Sequence, residues 1–193
     1  MGGFDYIIWI RNGKVAGTSF EYAFKSMITF EPKKGKIIEV TTEKVGEAYG
    51  MDKFKKKFPD IWERAFKFML VRHPIDRFVS AWMYFKNTRI KTIKEIMNTR
   101  YNAAIEWHLR RPQTKGLIVD GELDVDFLVR FESLQEDVDF LCVILGVDKV
   151  EMPHLRKSKR QCWQRYFYVD GSKGVEVRLR TIFKDDFKYL GYD

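Results

Sequence analysis

The chain has 193 residues, of which 45% are hydrophobic and 16% aromatic, enough apolar side chain for a sizeable core and too much for a disordered segment. Its formal charge of +8, from 35 Lys and Arg against 27 Asp and Glu, favours an anionic partner: nucleotide, nucleic acid, acidic polysaccharide or membrane surface. No run approaches the roughly 18 apolar residues that span a bilayer, and residues 1–10 carry Asp5 where a secretory leader carries basic residues. The expectation is a single domain over residues 1–193, soluble, with no membrane span, and cytoplasmic. The two cysteines, Cys142 and Cys162, make no disulfide framework, and Cys142, inside an apolar run, reads as a small buried hydrophobe.

In chain order, residues 6–10 form a short apolar run that stops at the turn signal Arg11-Asn12-Gly13. Phe20, Tyr22, Ala23, Phe24 and Met27 then suit a helix starting near Thr18, with Thr or Ser as its cap. Residues 36–42 read as a strand, and 53–64 as a charged helical stretch interrupted by Pro59. Residues 66–71 form a second apolar strand, ending at Arg72-His73-Pro74. Pro74 suits a first helical turn and Asp76 favours that end electrostatically. Phe78, Val79, Trp82 and Phe85 carry the helix on. Residues 90–98 and 103–108 look helical, 126–131 reads as a third strand, and a helix follows from Glu132 to Leu145 with a stop at Gly146. A basic loop over 152–160 precedes a last helix over 175–186. Strands alternating with helices imply an α/β fold with a mostly parallel central sheet flanked by helices; the arrangement expected is P-loop-like and three-layered.

Two loops carry the chemistry. In the first, Lys14-Val15-Ala16-Gly17-Thr18-Ser19 joins a strand to a helix, where backbone N–H groups can cradle an anion. Gly17 permits close approach, Thr18 and Ser19 add hydroxyls, and Lys14 adds a mobile cation. A Walker A loop needs Ser or Thr directly after Gly-Lys and a glycine five places before that Gly; Val15 and Ile8 stand there instead. An ordinary tight turn with a surface lysine would explain this loop equally well. In the second, Arg72 leaves a strand and Ser80 follows in the next helix, so that the guanidinium fork and the hydroxyl could hold one phosphate. Arg77 reads slightly better as a structural cation than as a third member. Two such elements suit a ligand with phosphates at both ends.

These two elements resemble those of the sulfotransferases that use 3'-phosphoadenosine 5'-phosphosulfate (PAPS), in particular the carbohydrate sulfotransferases. In that family a Lys-containing strand–loop–helix binds the 5'-phosphosulfate, and Arg-x-Pro-x-x-Arg-x-x-Ser followed by an aromatic binds the 3'-phosphate. This chain has Arg72, Pro74, Arg77, Ser80 and Trp82 in that pattern. Arg130-Phe131-Glu132-Ser133-Leu134 is similar to the family's third strand and its exit. Met152 through Ser158 is similar to its late nucleotide-covering loop, and Phe183 through Tyr192 to its C-terminal ending. The resemblance covers nearly the whole chain in order.

It implies sulfuryl transfer from PAPS, as co-substrate and without a metal, to an acceptor hydroxyl on a carbohydrate that could itself be acidic. Lys14 would neutralise the bridging oxygen, and backbone N–H groups of Ala16, Gly17, Thr18 and Ser19 would hold the 5'-phosphate. Arg72 and Ser80 would hold the 3'-phosphate, with Arg156, Lys157 and Ser158 on the nucleotide or on an acidic acceptor. The base stays open between His108 and a carboxylate such as Glu39 or Glu43. Trp62, Trp107 and Trp163 could stack on adenine or sugar, or fill the core. Other acceptors, a glycolipid, a small alcohol or a protein tyrosine, stay open too. A P-loop-like nucleotide kinase and a non-catalytic basic module binding acidic glycan or nucleic acid are the competing readings; the two ordered phosphate elements disfavour nucleic acid as partner.

Overall fold

The computed structural model describes residues 3–41, 49–85, 92–93, 95, 108–153, 155, 161–169 and 173–193. The strands are set by runs of β-branched and aromatic residues that are buried on both faces, as parallel strands require. β1 (Ile7–Arg11), β3 (Ile37–Thr41) and β5 (Phe66–Val71) are buried almost throughout, whereas β8 (Phe127–Arg130) is only partly covered. That contrast marks β8 as an edge. With β2 (Ile28–Thr29) the sheet order is β2-β3-β1-β5-β8, and β4 (Tyr49–Gly50) also pairs with β3. Every pair in this sheet is parallel. The expected α/β architecture with a mostly parallel, helix-flanked sheet is therefore present.

Two helices line one sheet face. α1 (Gly17–Ala23) contributes Phe20, and the following Phe24 stacks on it with ring centroids 4.3 Å apart. Phe20 also meets Trp9 at 4.8 Å and Phe68 at 5.6 Å. Into the same core, α5 (Leu134–Leu145) inserts Val138, Leu141, Cys142 and Leu145, one face at i, i+3, i+4, i+7 spacing. Gly146 ends α5 in the left-handed conformation, φ 63°, as the stop signal indicated. Between β3 and β5, Pro59 splits the charged stretch into α2 (Met51–Lys57) and α3 (Pro59–Arg64). A short hairpin, β6 (Ile118–Val119) with β7 (Glu122–Leu123), turns on Asp120 and Gly121, both at positive φ.

The chain divides into two compact units, Met1–Val71 with Gly116–Leu155, and Arg72–Lys115 with Arg156–Asp193. The first holds the sheet. The second is built from α4 (Pro74–Phe85), α6 (Trp163–Val169), α7 (Lys173–Ile182) and α8 (Lys184–Leu190). Its core joins Ile75, Phe78, Val79 and Trp82 to Phe167, Leu179 and Phe183. Here the single last helix expected over 175–186 is two helices that break at Phe183, because Phe183 turns inward as the N-cap residue of α8.

Candidate functional site

In the first unit the chain leaves β1 at the point where the strand order reverses, with β3 on one side and β5 on the other. Open α/β sheets bind ligands outside the carboxyl ends of their strands at such a switch point. The loop that follows is strained: Lys14 has φ 66° and Ala16 φ 67°, both in the left-handed region that L-residues avoid. Val15 between them is fully buried among the core side chains. The buried Val15 is flanked by two left-handed residues, and backbone that alternates in hand can converge successive N–H groups into an anion-binding nest. Helix α1 then begins at Gly17 with Ala16 as N-cap and no side-chain cap. The expected Thr or Ser cap is displaced because the left-handed Ala16 starts the helix one residue before Thr18.

Around this loop lies a charged cluster. Arg11 Nη1 donates to Glu39 Oε1 at 2.9 Å, and its Nη2 pairs with Glu21 Oε2 at 2.9 Å. The guanidinium also lies 5.3 Å from the Trp9 ring. Burial works to lower the Arg11 pKa, but the bonds and charges of Glu39 and Glu21 outweigh it and hold the cation. At Glu39 burial wins: it raises the carboxyl above its ordinary value despite Arg11. Among the described residues, Glu39 Oε2 and Asn12 Nδ2 are buried without a hydrogen-bond partner in the protein. Asn12 lies beside the lysine loop at 6% exposure, and its place in the turn signal Arg11-Asn12-Gly13 gives no sign of that burial.

In the second unit Arg72 lies just past β5, only 6% exposed. Its Nε donates to Asp76 Oδ2 at 2.6 Å, a charge-assisted bond that fixes one edge of the fork. Asp76 and Ser80 follow on α4 at i, i+4 spacing and thus on one helix face; both are half-buried. His73 stacks on Trp163 at 4.9 Å and meets Phe187 and Tyr192 edge-on. Trp163 thus packs against His73, while Trp62, 3% exposed, is a core residue that donates from Nε1 to Asp124 at 2.7 Å.

Arg77 is 2% exposed and donates to the carbonyls of His108 at 3.3 Å and Arg111 at 2.5 Å. Its guanidinium faces the Phe183 ring at 5.3 Å. Burial lowers its pKa against the opposing charge of Asp186. This is the structural cation that the sequence suggested. His108 is half-buried beside Phe85, with ring centroids 5.7 Å apart. Of the residues singled out in the sequence, Lys14, Ala16, Gly17, Thr18, Ser19 and Glu39 lie in the first unit, and Arg72, Ser80 and His108 in the second. Arg156, Lys157, Ser158, Glu43 and Trp107 lie outside the described residues. Among those described, no three His, Cys, Asp or Glu side chains gather as metal ligands, and no helix is long and apolar enough to cross a membrane.

Residues 2–193 match the family model of the sulfotransferase family. A crystal structure of a sulfotransferase from Alicyclobacillus acidocaldarius is similar over 93% of this chain and 96% of that one, at 17% identity and a TM-score of 0.44. No curated protein matches the sequence significantly.

Proposed function

The chain belongs to the sulfotransferase family and so transfers a sulfuryl group; from that premise, we propose that its donor is PAPS and its acceptor a carbohydrate hydroxyl. One observation carries the donor reading: the left-handed pair Lys14 and Ala16 at the carboxyl end of β1. Strain of this kind costs on the order of 1–3 kcal/mol per residue and persists where function needs it. A converging set of N–H groups beside a lysine suits a 5'-phosphosulfate.

In this reading Lys14 stabilises the bridging oxygen as its bond to sulfur breaks and the acceptor oxygen bonds to sulfur. The N–H groups of Ala16, Gly17, Thr18 and Ser19 hold the 5'-phosphate that departs with 3'-phosphoadenosine 5'-phosphate (PAP). Arg72 and Ser80 take the 3'-phosphate, and the basic residues Arg156 and Lys157 with Ser158 cover the nucleotide. His108 takes the acceptor's proton. Glu39 is the second reading for that role, favoured by its raised pKa and its orphaned Oε2. The acceptor is read as carbohydrate from the resemblance alone.

Calorimetric titration with PAP, 5'-AMP and ATP tests the donor. Strong preference for PAP, lost in Arg72→Ala, supports the reading. Equal binding of all three, or preference for ATP with magnesium, sinks it and moves a kinase to the front.

A further inference from the structure

The backbone of Arg72 is held from outside its own strand. Its N–H donates to Gln113 Oε1 at 3.0 Å, and its carbonyl accepts from Gln113 Nε2 at 2.8 Å. A side-chain amide thus closes a two-way pair with the backbone of one residue, as a neighbouring strand would. Gln113 is 1% exposed, so water does not compete, and each of these bonds is costly to leave unmade.

Gln113 is itself placed by a single carboxylate. Asp186 in the first turn of α8 is fully buried and accepts through Oδ2 from the Gln113 N–H at 2.8 Å. Its Oδ1 accepts from the Thr114 N–H at 2.9 Å and from the Thr114 hydroxyl at 2.8 Å. At its other end the same segment hangs from Arg77 through the carbonyls of His108 and Arg111. Two buried opposite charges therefore fix the register of residues 108–114, and the segment's one inward amide grips Arg72. A core that needed only to fill space would use apolar residues at 113 and 186; a buried carboxylate with three donors is kept where a backbone has to be held to one position.

We propose that Gln113, set by Asp186, is a positioning residue that orients Arg72 toward the donor's 3'-phosphate. The inference rests on the reading of Arg72 given above and adds how its direction is fixed. Arg72 Nε is tied to Asp76 and its backbone to Gln113, so the guanidinium has both its root and one edge fixed. A pre-oriented fork loses less freedom on meeting phosphate than a mobile one.

The test is the ratio of PAP to 5'-AMP affinity by calorimetry in the wild type, Gln113→Met and Arg72→Ala, with the double variant closing a cycle. Gln113→Met keeps the volume and removes both bonds. It is expected to lower the ratio about tenfold, the size of one or two lost hydrogen bonds, while 5'-AMP binding holds. In the Arg72→Ala background it is expected to add nothing. Retention of the wild-type ratio, an equal loss for both ligands, or a further loss in the Arg72→Ala background overturns the proposal. Should Gln113→Met fail to fold, Gln113→Asn keeps the amide but withdraws it by one methylene, and the same ratio is read. A wild type without any preference for PAP overturns the donor reading first and this inference with it, which separates the two failures.

Discussion

Arg11 donates to Glu39 at 2.9 Å across neighbouring strands, and the carboxylate it holds is 3% exposed. Burial raises the Glu39 pKa above the ordinary 4.5, against the pull of Arg11. Folding therefore favours the protonated acid. The stability it contributes is full below the ordinary value and is lost as pH climbs through the raised one. Glu39→Gln, which cannot titrate, is expected to flatten the dependence of urea-unfolding free energy on pH above 4.5. An unchanged slope would mean that Glu39 titrates in the folded protein as it does in the unfolded chain.

The loop before α1 offers a test of stored strain. A non-glycine residue in the left-handed region costs roughly 1–2 kcal/mol, and glycine gives part of that back as unfolded-chain entropy. Ala16, at φ 67° and ψ 16°, is expected to gain about 0.5–1 kcal/mol of stability on Ala16→Gly. Ala16→Val, β-branched at the same φ, is expected to lose stability. Thermal unfolding of the three proteins reads both signs, and a fall on Ala16→Gly would contradict the left-handed assignment.

Arg77 holds two carbonyls in the interior, where the charge of Asp186 opposes the burial that lowers its pKa. Removing the guanidinium leaves these buried acceptors without their donor, at about 1–3 kcal/mol each. Arg77→Met is expected to lower stability by an amount of that order, read as a shift in the urea midpoint. A small loss would mean that the two carbonyls do not depend on this donor.

The parallel sheet was legible because its central strands are buried on both faces and so read as unbroken apolar runs. Pro59, Pro74 and Gly146 marked helix boundaries through their backbone chemistry, which is local. Asp120-Gly121 carries an equally local hairpin signal, since positive φ at both residues suits a two-residue turn. Other features could not be read locally. The left-handed Ala16 is imposed by Val15 fastening into the core, a tertiary cause. The grip of Gln113 on Arg72 spans 41 residues and that of Asp186 on Gln113 spans 73; no short pattern records either. Arg72 and Arg77 stand five residues apart in one motif, and the motif does not record their different partners: Asp76 and Gln113 for one, the carbonyls of His108 and Arg111 for the other.

The two cysteines differ in reactivity for physical reasons. Cys142 is fully buried in the core beneath α5, and burial pushes its thiol above the ordinary 9.0, whereas Cys162 is exposed. The thiolate is the reactive form. A thiol reagent at neutral pH is expected to label Cys162 alone in the folded protein and both cysteines in denaturant. Rapid labelling of both without denaturant would show that α5 opens from the sheet.

Turnover divides the remaining roles. In the proposed mechanism Lys14 acts on charge that develops only as the bridging bond breaks, so its removal should weigh on the transition state more than on ground-state binding. Lys14→Ala is expected to lower kcat about 10²–10³-fold with a much smaller change in PAP affinity. A loss confined to affinity would make Lys14 a binding cation only. The base is separated the same way: general base catalysis is worth about 10²–10⁴-fold, so at saturating acceptor only one of His108→Ala and Glu39→Gln is expected to lose turnover on that scale. Loss at His108 with Glu39→Gln near wild type assigns the proton to the imidazole. The reverse assigns it to the carboxylate that Arg11 holds beside the lysine loop.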